Sequence, residues 1–161
     1  MNLPQHPRIR PLTVMGLFAN RLSNACSVTM DATVLDAVKV MAEQAVGSVV
    51  VLDGERVAGV FSERDYVRMT LTGAGPVDQT PMRQVMSDGV NFATPMQTAH
   101  ACLALMNEKR LDCIPVLEDG KLLGLLSIDD VQKAIIAQYE GIFQAIELDQ
   151  KILFLQGTYS C

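Results

Sequence analysis

Two short motifs carry the residues of this chain that are best suited to holding a polar ligand. Residues 59–65 read GVFSERD and residues 124–130 read GLLSIDD, so each has Gly, two apolar residues, Ser, two variable residues and Asp. The apolar pair predicts the end of a strand, and Ser predicts the start of a helix. A helix N-terminus offers unpaired N–H groups and a partial positive charge that suit a phosphate. A nearby carboxylate can accept hydrogen bonds from both hydroxyls of a ribose.

The same residue types also fit a purely structural role. Ser followed three residues later by an acid resembles a capping box, with Asp in the place usually taken by Glu or Gln. A single copy of the motif would favour this helix cap over a ligand site. The second copy changes that balance, and both interpretations stay open at this point.

The two motifs belong to an internal repeat with an offset of 65 positions, from Gly59 to Gly124. Further residues match at the same offset without a gap. The matching pairs are Thr29 and Thr94, Thr33 and Thr98, Met41 and Met106, Glu43 and Glu108, and Val51 and Val116. Two copies are too few for a solenoid. The repeat therefore predicts two small units packed face to face around a pseudo-twofold axis.

Each unit is predicted to contain a strand, a helix, a hairpin of two strands and a second helix. In the first unit these are a strand at 25–29, a helix from Thr33 ended by Gly47, strands at 48–52 and 56–61, and a helix from Ser62 to about Leu71. In the second unit they are a strand at 90–94, a helix at 98–109, strands at 113–117 and 121–126, and a helix from Ser127. Asp-Gly pairs at 53–54 and 119–120 mark the hairpin turns. A helical turn at 81–86 is expected to match residues 16–21.

The last helix is predicted to continue beyond the repeat with one apolar face. The apolar positions Val131, Ile135, Tyr139, Ile142 and Ile146 recur at helical spacing. An amphipathic extension of this length needs something to cover it. Packing on its own unit and packing on a partner subunit are both open.

Four segments resemble the hallmarks of a known family. They are TVLDA at 33–37, GSVVV at 47–51, DCIPV at 112–116 and VAGVFSERDY at 57–66. On these residues the chain resembles a CBS-domain pair, also called a Bateman module, over about residues 14–133. The resemblance implies a mixed α/β (α+β) fold of two pseudo-symmetric β-α-β-β-α units packed face to face, plus a C-terminal helix. We expect a stand-alone protein of the bacterial type rather than the regulatory arm of an enzyme.

The expected domain organisation follows from the repeat and the resemblance. The segments are an N-terminal arm at 1–13, a first unit at 14–71, a linker at 72–79, a second unit at 80–137 and a C-terminal helical extension at 138–161.

The resemblance also implies a ligand. In the family, adenine nucleotides or related adenosyl compounds occupy two clefts between the paired units. By match to the family, Asp65 and Asp130 would hold ribose hydroxyls, and Ser62 and Ser127 would reach phosphate oxygens or cap the helix. Further site candidates are Thr29 and Thr94 for the base pocket, Val49, Val50, Ile114 and Pro115 for apolar walls and backbone groups, Cys113 for the pocket wall, and Arg64 for phosphate.

The two motifs differ in charge at one position. Arg64 lies inside the first motif, whereas Asp129 takes the matching place beside Asp130 in the second. Some family members place a basic residue just before the central strand, where this chain has Gly47-Ser48 and Asp112-Cys113. We therefore expect the cleft of Ser62 and Asp65 to bind phosphorylated ligands better.

Composition excludes several other classes of protein. The net charge is −5 and the sequence pI is near 4.9, and the longest basic run is Lys109-Arg110, so a nucleic-acid partner is not expected. No apolar run approaches the roughly 18 residues of a membrane-spanning helix, so no membrane partner is expected. The four cysteines lack C-x-x-C spacing and are expected to be reduced, which fits the cytoplasm.

No catalytic constellation can be assembled from the spacing of these residues. The two histidines, His6 and His100, pair with no nucleophile in the sequence pattern and make a poor metal site. We expect no enzyme activity, no metal and no required cofactor.

The leading hypothesis is a regulatory sensor that binds an adenosine-containing ligand (AMP, ADP, ATP, NAD or S-adenosylmethionine), forms a homodimer and reports to an unknown downstream protein. The alternative is a ligand-free structural or dimerisation module whose Ser-x-x-Asp motifs only cap helices.

Overall fold

In the described residues, six helices and five strands follow one another in two similar runs. The computed structural model describes residues 9–18 and 26–157. The elements are α1 (Val14–Phe18), β1 (Ser27–Thr29), α2 (Val34–Gln44), β2 (Ser48–Asp53), β3 (Arg56–Ser62), α3 (Glu63–Thr72), α4 (Met82–Val85), α5 (Ala99–Lys109), β4 (Cys113–Glu118), β5 (Lys121–Ser127) and α6 (Ile128–Gly157). The predicted mixed α/β fold of two similar units with a C-terminal helix is confirmed.

The first unit has a three-stranded sheet in the order β1-β2-β3. β1 runs parallel to β2, with Val28 opposite Val51, and β2 runs antiparallel to β3. The β-branched run in β2 suits a buried strand, and Val49 and Val51 are fully buried. Gly54 supplies the positive φ of +61° that the tight turn between β2 and β3 requires.

The second unit lacks the strand that we predicted at 90–94. Its sheet has two strands, β4 and β5, and Ala93 makes one isolated parallel bridge with Val116. That bridge occupies the same register as Val28 and Val51, shifted by 65 positions. Two prolines explain why pairing stops there, because proline has no N–H to donate to a ladder.

These two prolines stand where the first unit uses backbone donors. Met30 N–H donates to the carbonyl of Leu52 at 3.1 Å, and Val50 N–H donates to the carbonyl of Cys26 at 2.8 Å. The matching positions, 65 residues on, are Pro95 and Pro115. The ladder in the second unit therefore loses a hydrogen bond on each side of Ala93.

Helix α2 begins as predicted and ends earlier than predicted. Thr33 is its N-cap and forms a capping box with Asp36. We expected Gly47 to end the helix, but the C-cap is Ala45, in the left-handed conformation with φ 52°. The N–H groups of Ala45 and Val46 bond back to carbonyls of the last turn, so the chain reverses without needing glycine.

The short helices α1 and α4 are exchanged between the units. Val14 N–H donates to the carbonyl of Gln97 at 2.8 Å, and Met82 N–H donates to the carbonyl of Ala32 at 2.8 Å. Val14 is buried in the core of the second unit and Met82 in the core of the first. The predicted match of 81–86 to 16–21 is therefore wrong by three residues, because Val14 and Met82 are the equivalent positions.

Each unit keeps its own hydrophobic core, and strands β3 and β5 bring the two units into contact. Helix α6 begins in the second unit, is 30 residues long and measures about 45 Å at the usual rise. Among the described ranges 9–18 and 26–157, no helix combines the length and apolarity that crossing a bilayer requires.

Candidate functional site

A cleft of about 230 Å³ lies between the two units. Both units contribute to its walls, and so does the connecting segment, which we define as residues 86–98 between α4 and α5. The lining of the cleft is largely polar and charged. It includes Ser48, Ser62, Arg64, Asp65, Arg68, Ser87, Lys109, Arg110, Asp112, Cys113 and Pro115. Five predicted site residues, Ser62, Arg64, Asp65, Cys113 and Pro115, therefore meet in one place.

The alternation of side chains along the central strands decides which predicted wall residues reach this cleft. Ser48 in β2 and Cys113 and Pro115 in β4 face the cleft. Val49 and Ile114 belong to the two hydrophobic cores, since successive residues of a strand point to opposite faces. Val50 is fully buried and lies on the same face of β2 as Ser48.

Asp65 is the most enclosed acidic group of the cleft, with 8% of its surface exposed. One carboxylate oxygen accepts hydrogen bonds from the N–H of Ser62 at 2.9 Å and from its hydroxyl at 2.8 Å. The other oxygen accepts from the hydroxyl of Ser87 at 3.1 Å and lies 3.5 Å from the guanidinium of Arg68. Asp65 therefore completes the cap of α3 and also contacts the side chains of Ser87 and Arg68.

The connecting segment reaches Asp65 because Gly59 lets it approach β3. Val60 and Ser87 exchange two backbone hydrogen bonds at 3.1 and 2.9 Å. A Cβ atom on Gly59 would lie 2.7 Å from the carbonyl oxygen of Ser87 and 2.9 Å from the sulfur of Met86. Gly59, the glycine of the first motif, is thus required by close packing between two segments.

Positive charge gathers in the cleft of an otherwise acidic chain. Arg64, Arg68, Lys109 and Arg110 line it together with two carboxylates, Asp65 and Asp112. Arg64 reaches from α3 to the second unit, donating to the carbonyl of Arg110 at 2.7 Å and lying 3.7 Å from the carboxylate of Asp112. Such a concentration of cations favours an anionic ligand.

Cys113 and Ser48 are equivalent residues of the two repeats and meet at the base of the cleft. Burial raises the pKa of the Cys113 thiol, while a hydrogen bond with Ser48 acts in the opposite direction. Asp112 and Asp65 also raise this pKa by repelling a thiolate. The thiol therefore stays protonated near neutral pH and contributes a small, weakly polar surface.

The remaining predicted site residues lie outside this cleft. Thr29 ends β1 and is exposed, and the N–H of Thr94 is bound to the side chain of Gln97 at 2.8 Å. Ser127 accepts a hydrogen bond from the N–H of Asp130 at 3.1 Å, and Asp130 is exposed at the start of α6. The second motif thus stands apart from the first.

Sequence reasoning missed several lining residues, among them Arg68, Ser87, Lys109 and Arg110. The sequence shows Lys109-Arg110 as the longest basic run, but residue spacing could not predict that it lies near Asp65. Ser87 carries no periodic signal, because its position depends on how the connecting segment crosses β3. Within the part of the chain that the structure describes, no group of three His, Cys, Asp or Glu side chains could hold a metal ion.

Comparison with known proteins decides the family. The description "CBS domain" matches residues 22–71 and 82–137, more than half of the chain. This chain belongs to the CBS-domain family. The mitochondrial CBS domain-containing protein CBSX3 of Arabidopsis thaliana is 31% identical over 136 residues, which cover 81% of this chain and 64% of that protein. The chain therefore spans less than two thirds of this relative.

Solved CBS structures confirm the predicted fold. The crystal structure described as the CBS domain NE2398 has a TM-score of 0.74 at 33% identity and covers 78% of this chain and 98% of its own. The CBS domain pair of protein MJ0100 was solved with 5′-methylthioadenosine and S-adenosyl-L-methionine. It has a TM-score of 0.70 at 11% identity, with coverage of 80% of this chain and 99% of its own, so it supports the fold alone.

Proposed function

We propose that this protein is a regulatory sensor module whose CBS pair binds an adenosine-containing, phosphorylated ligand in the cleft between the two units. The observation that carries the proposal is the meeting of four basic side chains with Ser62 and Asp65 in one cleft. Arginine and lysine recognise phosphate, while Cys113 and Pro115 supply less polar walls for a base. The related domain pair of MJ0100 holds adenosyl compounds. We further propose that the protein is not an enzyme.

The cleft favours the smaller members of the predicted ligand set. Its volume of about 230 Å³ lies below the roughly 300–1,000 Å³ typical of sites for drug-sized ligands. AMP or ADP therefore suits it better than NAD. Arg64 and Arg110, one from each unit, would approach the phosphate, and the charge in the cleft would draw it in.

The repeat predicts that the opposite cleft binds phosphate less well. At the same offset of 65 positions, Gln44 and Ala45 replace Lys109 and Arg110, and Asp129 replaces Arg64. Ser127 and Asp130 would then hold a ribose in a more acidic setting. This reasoning keeps the predicted ranking, with the cleft of Asp65 as the tighter site.

A second candidate function is a ligand-free structural module. The observation that favours it is the complete reciprocal cap between Ser62 and Asp65, with Ser87 and Arg68 also engaged. A ribose would have to compete with these partners for the carboxylate. A module of this kind would serve assembly alone.

Titration of the full chain with AMP, ADP, ATP, NAD and S-adenosylmethionine tests the proposal. A ligand that binds only the folded state raises the melting temperature. We expect AMP or ADP to do so and to give a measurable heat of binding. Neither a shift nor heat from any of the five at millimolar concentration would instead establish the structural module.

The variant Arg110→Gln locates the binding event, with Arg56→Gln as its control. Arg56 is an exposed arginine at the start of β3, outside the cleft. A unit charge about 8 Å from a phosphate contributes about 2 kcal/mol at an effective dielectric of about 20, and screening reduces this to about 1 kcal/mol. We expect AMP affinity to fall about five-fold in Arg110→Gln, while adenosine affinity stays nearly constant. Equal effects of the two variants would place the ligand elsewhere.

We also propose that the protein acts in the cytoplasm as a homodimer and passes ligand occupancy to a downstream protein. Closed twofold assembly is the commonest solution for oligomers with self-complementary faces. Light scattering at micromolar concentration should give twice the chain mass, and a monomer mass would remove this part of the proposal.

A further inference from the structure

The second half of helix α6 presents an apolar surface to solvent. Val131 and Ile135 are buried in the second core, but the helix then leaves that core. Beyond the core, the hydroxyl of Tyr139 and Nε2 of the exposed His100 on α5 form a hydrogen bond at 3.4 Å. We define the distal stripe as the large apolar residues that follow at helical spacing: Ile136, Tyr139, Ile142, Phe143, Ile146 and Leu153.

This surface is large enough for a stable interface. Ile136, Tyr139, Phe143, Ile146 and Leu153 are 57%, 49%, 68%, 43% and 67% exposed, respectively. Side chains of this size each offer on the order of 100 Å² when half exposed. Together with neighbouring atoms they approach the roughly 800 Å² per partner of a standard protein interface.

The arrangement of the stripe is self-complementary in one orientation. Tyr139 and Leu153 lie seven positions on either side of Ile146 and share its face of the helix. An antiparallel pair centred on Ile146 would place Tyr139 of one copy opposite Leu153 of the other. A parallel pair would instead bring Asp149, at the edge of the stripe, next to its own copy.

The flanking charges favour the same antiparallel arrangement. Glu140 and Lys151 lie on one flank of the stripe, and matching flanks face each other in an antiparallel pair. Centred on Ile146, the pair puts Glu140 of one copy within a residue of Lys151 of the other. Acidic side chains border the stripe on both sides, Glu140 and Glu147 on one and Asp149 on the other, and would be repelled by an anionic lipid surface.

We infer that the distal stripe of α6 is a self-association surface that joins two copies of this chain as an antiparallel helix pair centred on Ile146. Ligand binding is not needed for this contact. The distal stripe would be the surface of the proposed homodimer, and antiparallel would be its orientation. The homodimer could also form through another surface, so the two proposals can fail separately.

Sedimentation and light scattering of the full chain test this inference, using Ile146→Asp with Leu148→Asp as the control. Leu148 is 59% exposed on the opposite face of the same helix. Ile146 would face its own copy, so the variant sets two carboxylates against each other at the centre. We expect the dimer dissociation constant to rise more than 100-fold in Ile146→Asp and less than three-fold in the control. Both positions are exposed, so circular dichroism should show folded proteins.

Charge exchange tests the orientation. Glu140→Lys and Lys151→Glu should each raise the dissociation constant several-fold, and the double variant should restore it. A dimer insensitive to Ile146→Asp, a monomeric natural sequence, or no rescue in the double variant would overturn the inference. Binding of the natural sequence to neutral or anionic lipid vesicles in place of dimerisation would overturn it as well.

Discussion

The two Ser-x-x-Asp helix starts share one capping hydrogen bond and have different surroundings. Ser62 accepts a hydrogen bond from the N–H of Asp65 at 3.3 Å, and Ser127 accepts one from the N–H of Asp130 at 3.1 Å. Asp65 is nevertheless 8% exposed, with Ser87 against it, whereas Asp130 is exposed at the base of a 30-residue helix. A motif therefore fixes the start of the helix, while the segment that crosses it decides whether the carboxylate is enclosed.

The comparison predicts unequal losses of stability when each carboxylate is removed. Asp65→Ala takes away the acceptor half of the capping box of α3, worth about 0.5–2 kcal/mol. It also removes the hydrogen bond from the exposed hydroxyl of Ser87 to a buried carboxylate, worth about 1.5–3 kcal/mol. We expect a total of about 2–4 kcal/mol. Asp130→Ala should cost less than about 1 kcal/mol, the value of an acid in an exposed first turn.

Urea unfolding of both variants measures this difference. Asp65→Asn provides a control, since it keeps the shape of the side chain and one acceptor oxygen. Equal losses from Asp65→Ala and Asp130→Ala would show that the enclosure of Asp65 contributes nothing, and would remove the distinction between the two sites.

Gly59→Ala should have the next largest effect, because it pushes the connecting segment away from β3. The added Cβ would meet the carbonyl oxygen of Ser87 at 2.7 Å, and overpacking of this kind costs about 1–3 kcal/mol. The movement should also weaken AMP binding, since Ser87 lines the cleft. Gly47→Ala is the matched control, because its Cβ would find only Glu63, at an ordinary 3.8 Å. Thermal unfolding and AMP titration of the pair would contradict this account if both variants behaved alike.

Helices α2 and α5, which are equivalent in the two units, predict a smaller difference in stability that depends on pH. Hydrogen bonds from the backbone N–H and the hydroxyl of Thr33 lower the pKa of Asp36 below its usual value. A carboxylate whose pKa falls on folding stabilises the protein above its unfolded pKa, near 3.8, and loses that contribution as pH drops through the folded value. The second unit has Ala101 in the matching place, where Thr98 caps α5 alone.

Ala101→Asp should therefore raise stability by about 0.5 kcal/mol at pH 7 and by less at pH 2. Asp36→Ala should lower stability at pH 7 and lower it less at pH 2. Ala101→Asn is the uncharged control, and its effect should not change with pH. Chemical unfolding at the two pH values measures all three variants, and a gain from Ala101→Asp that is as large at pH 2 as at pH 7 would refute the electrostatic explanation.

The local elements that repeat could be predicted from the amino-acid sequence alone. The Asp-Gly turns, the capping threonines and the Ser-x-x-Asp helix starts depend on neighbours within four residues, so they could be predicted at their observed places. The 65-residue offset then identified two copies and the family they resemble. The resemblance placed Ser62, Asp65 and Pro115 among the site residues, and the structure brings these three to one cleft.

The surroundings of each copy depend on contacts between distant segments, so they could not be predicted from the sequence. The missing strand at 90–94 depends on Pro95 and Pro115, which remove one backbone donor on each side of the bridge between Ala93 and Val116. These prolines are 20 positions apart in the sequence. The exchange of Val14 and Met82 between cores, the enclosure of Asp65 by Ser87 and the arrival of Arg110 in the cleft depend on how segments cross in space. These contacts join residues tens of positions apart, where periodicity and capping rules carry no information.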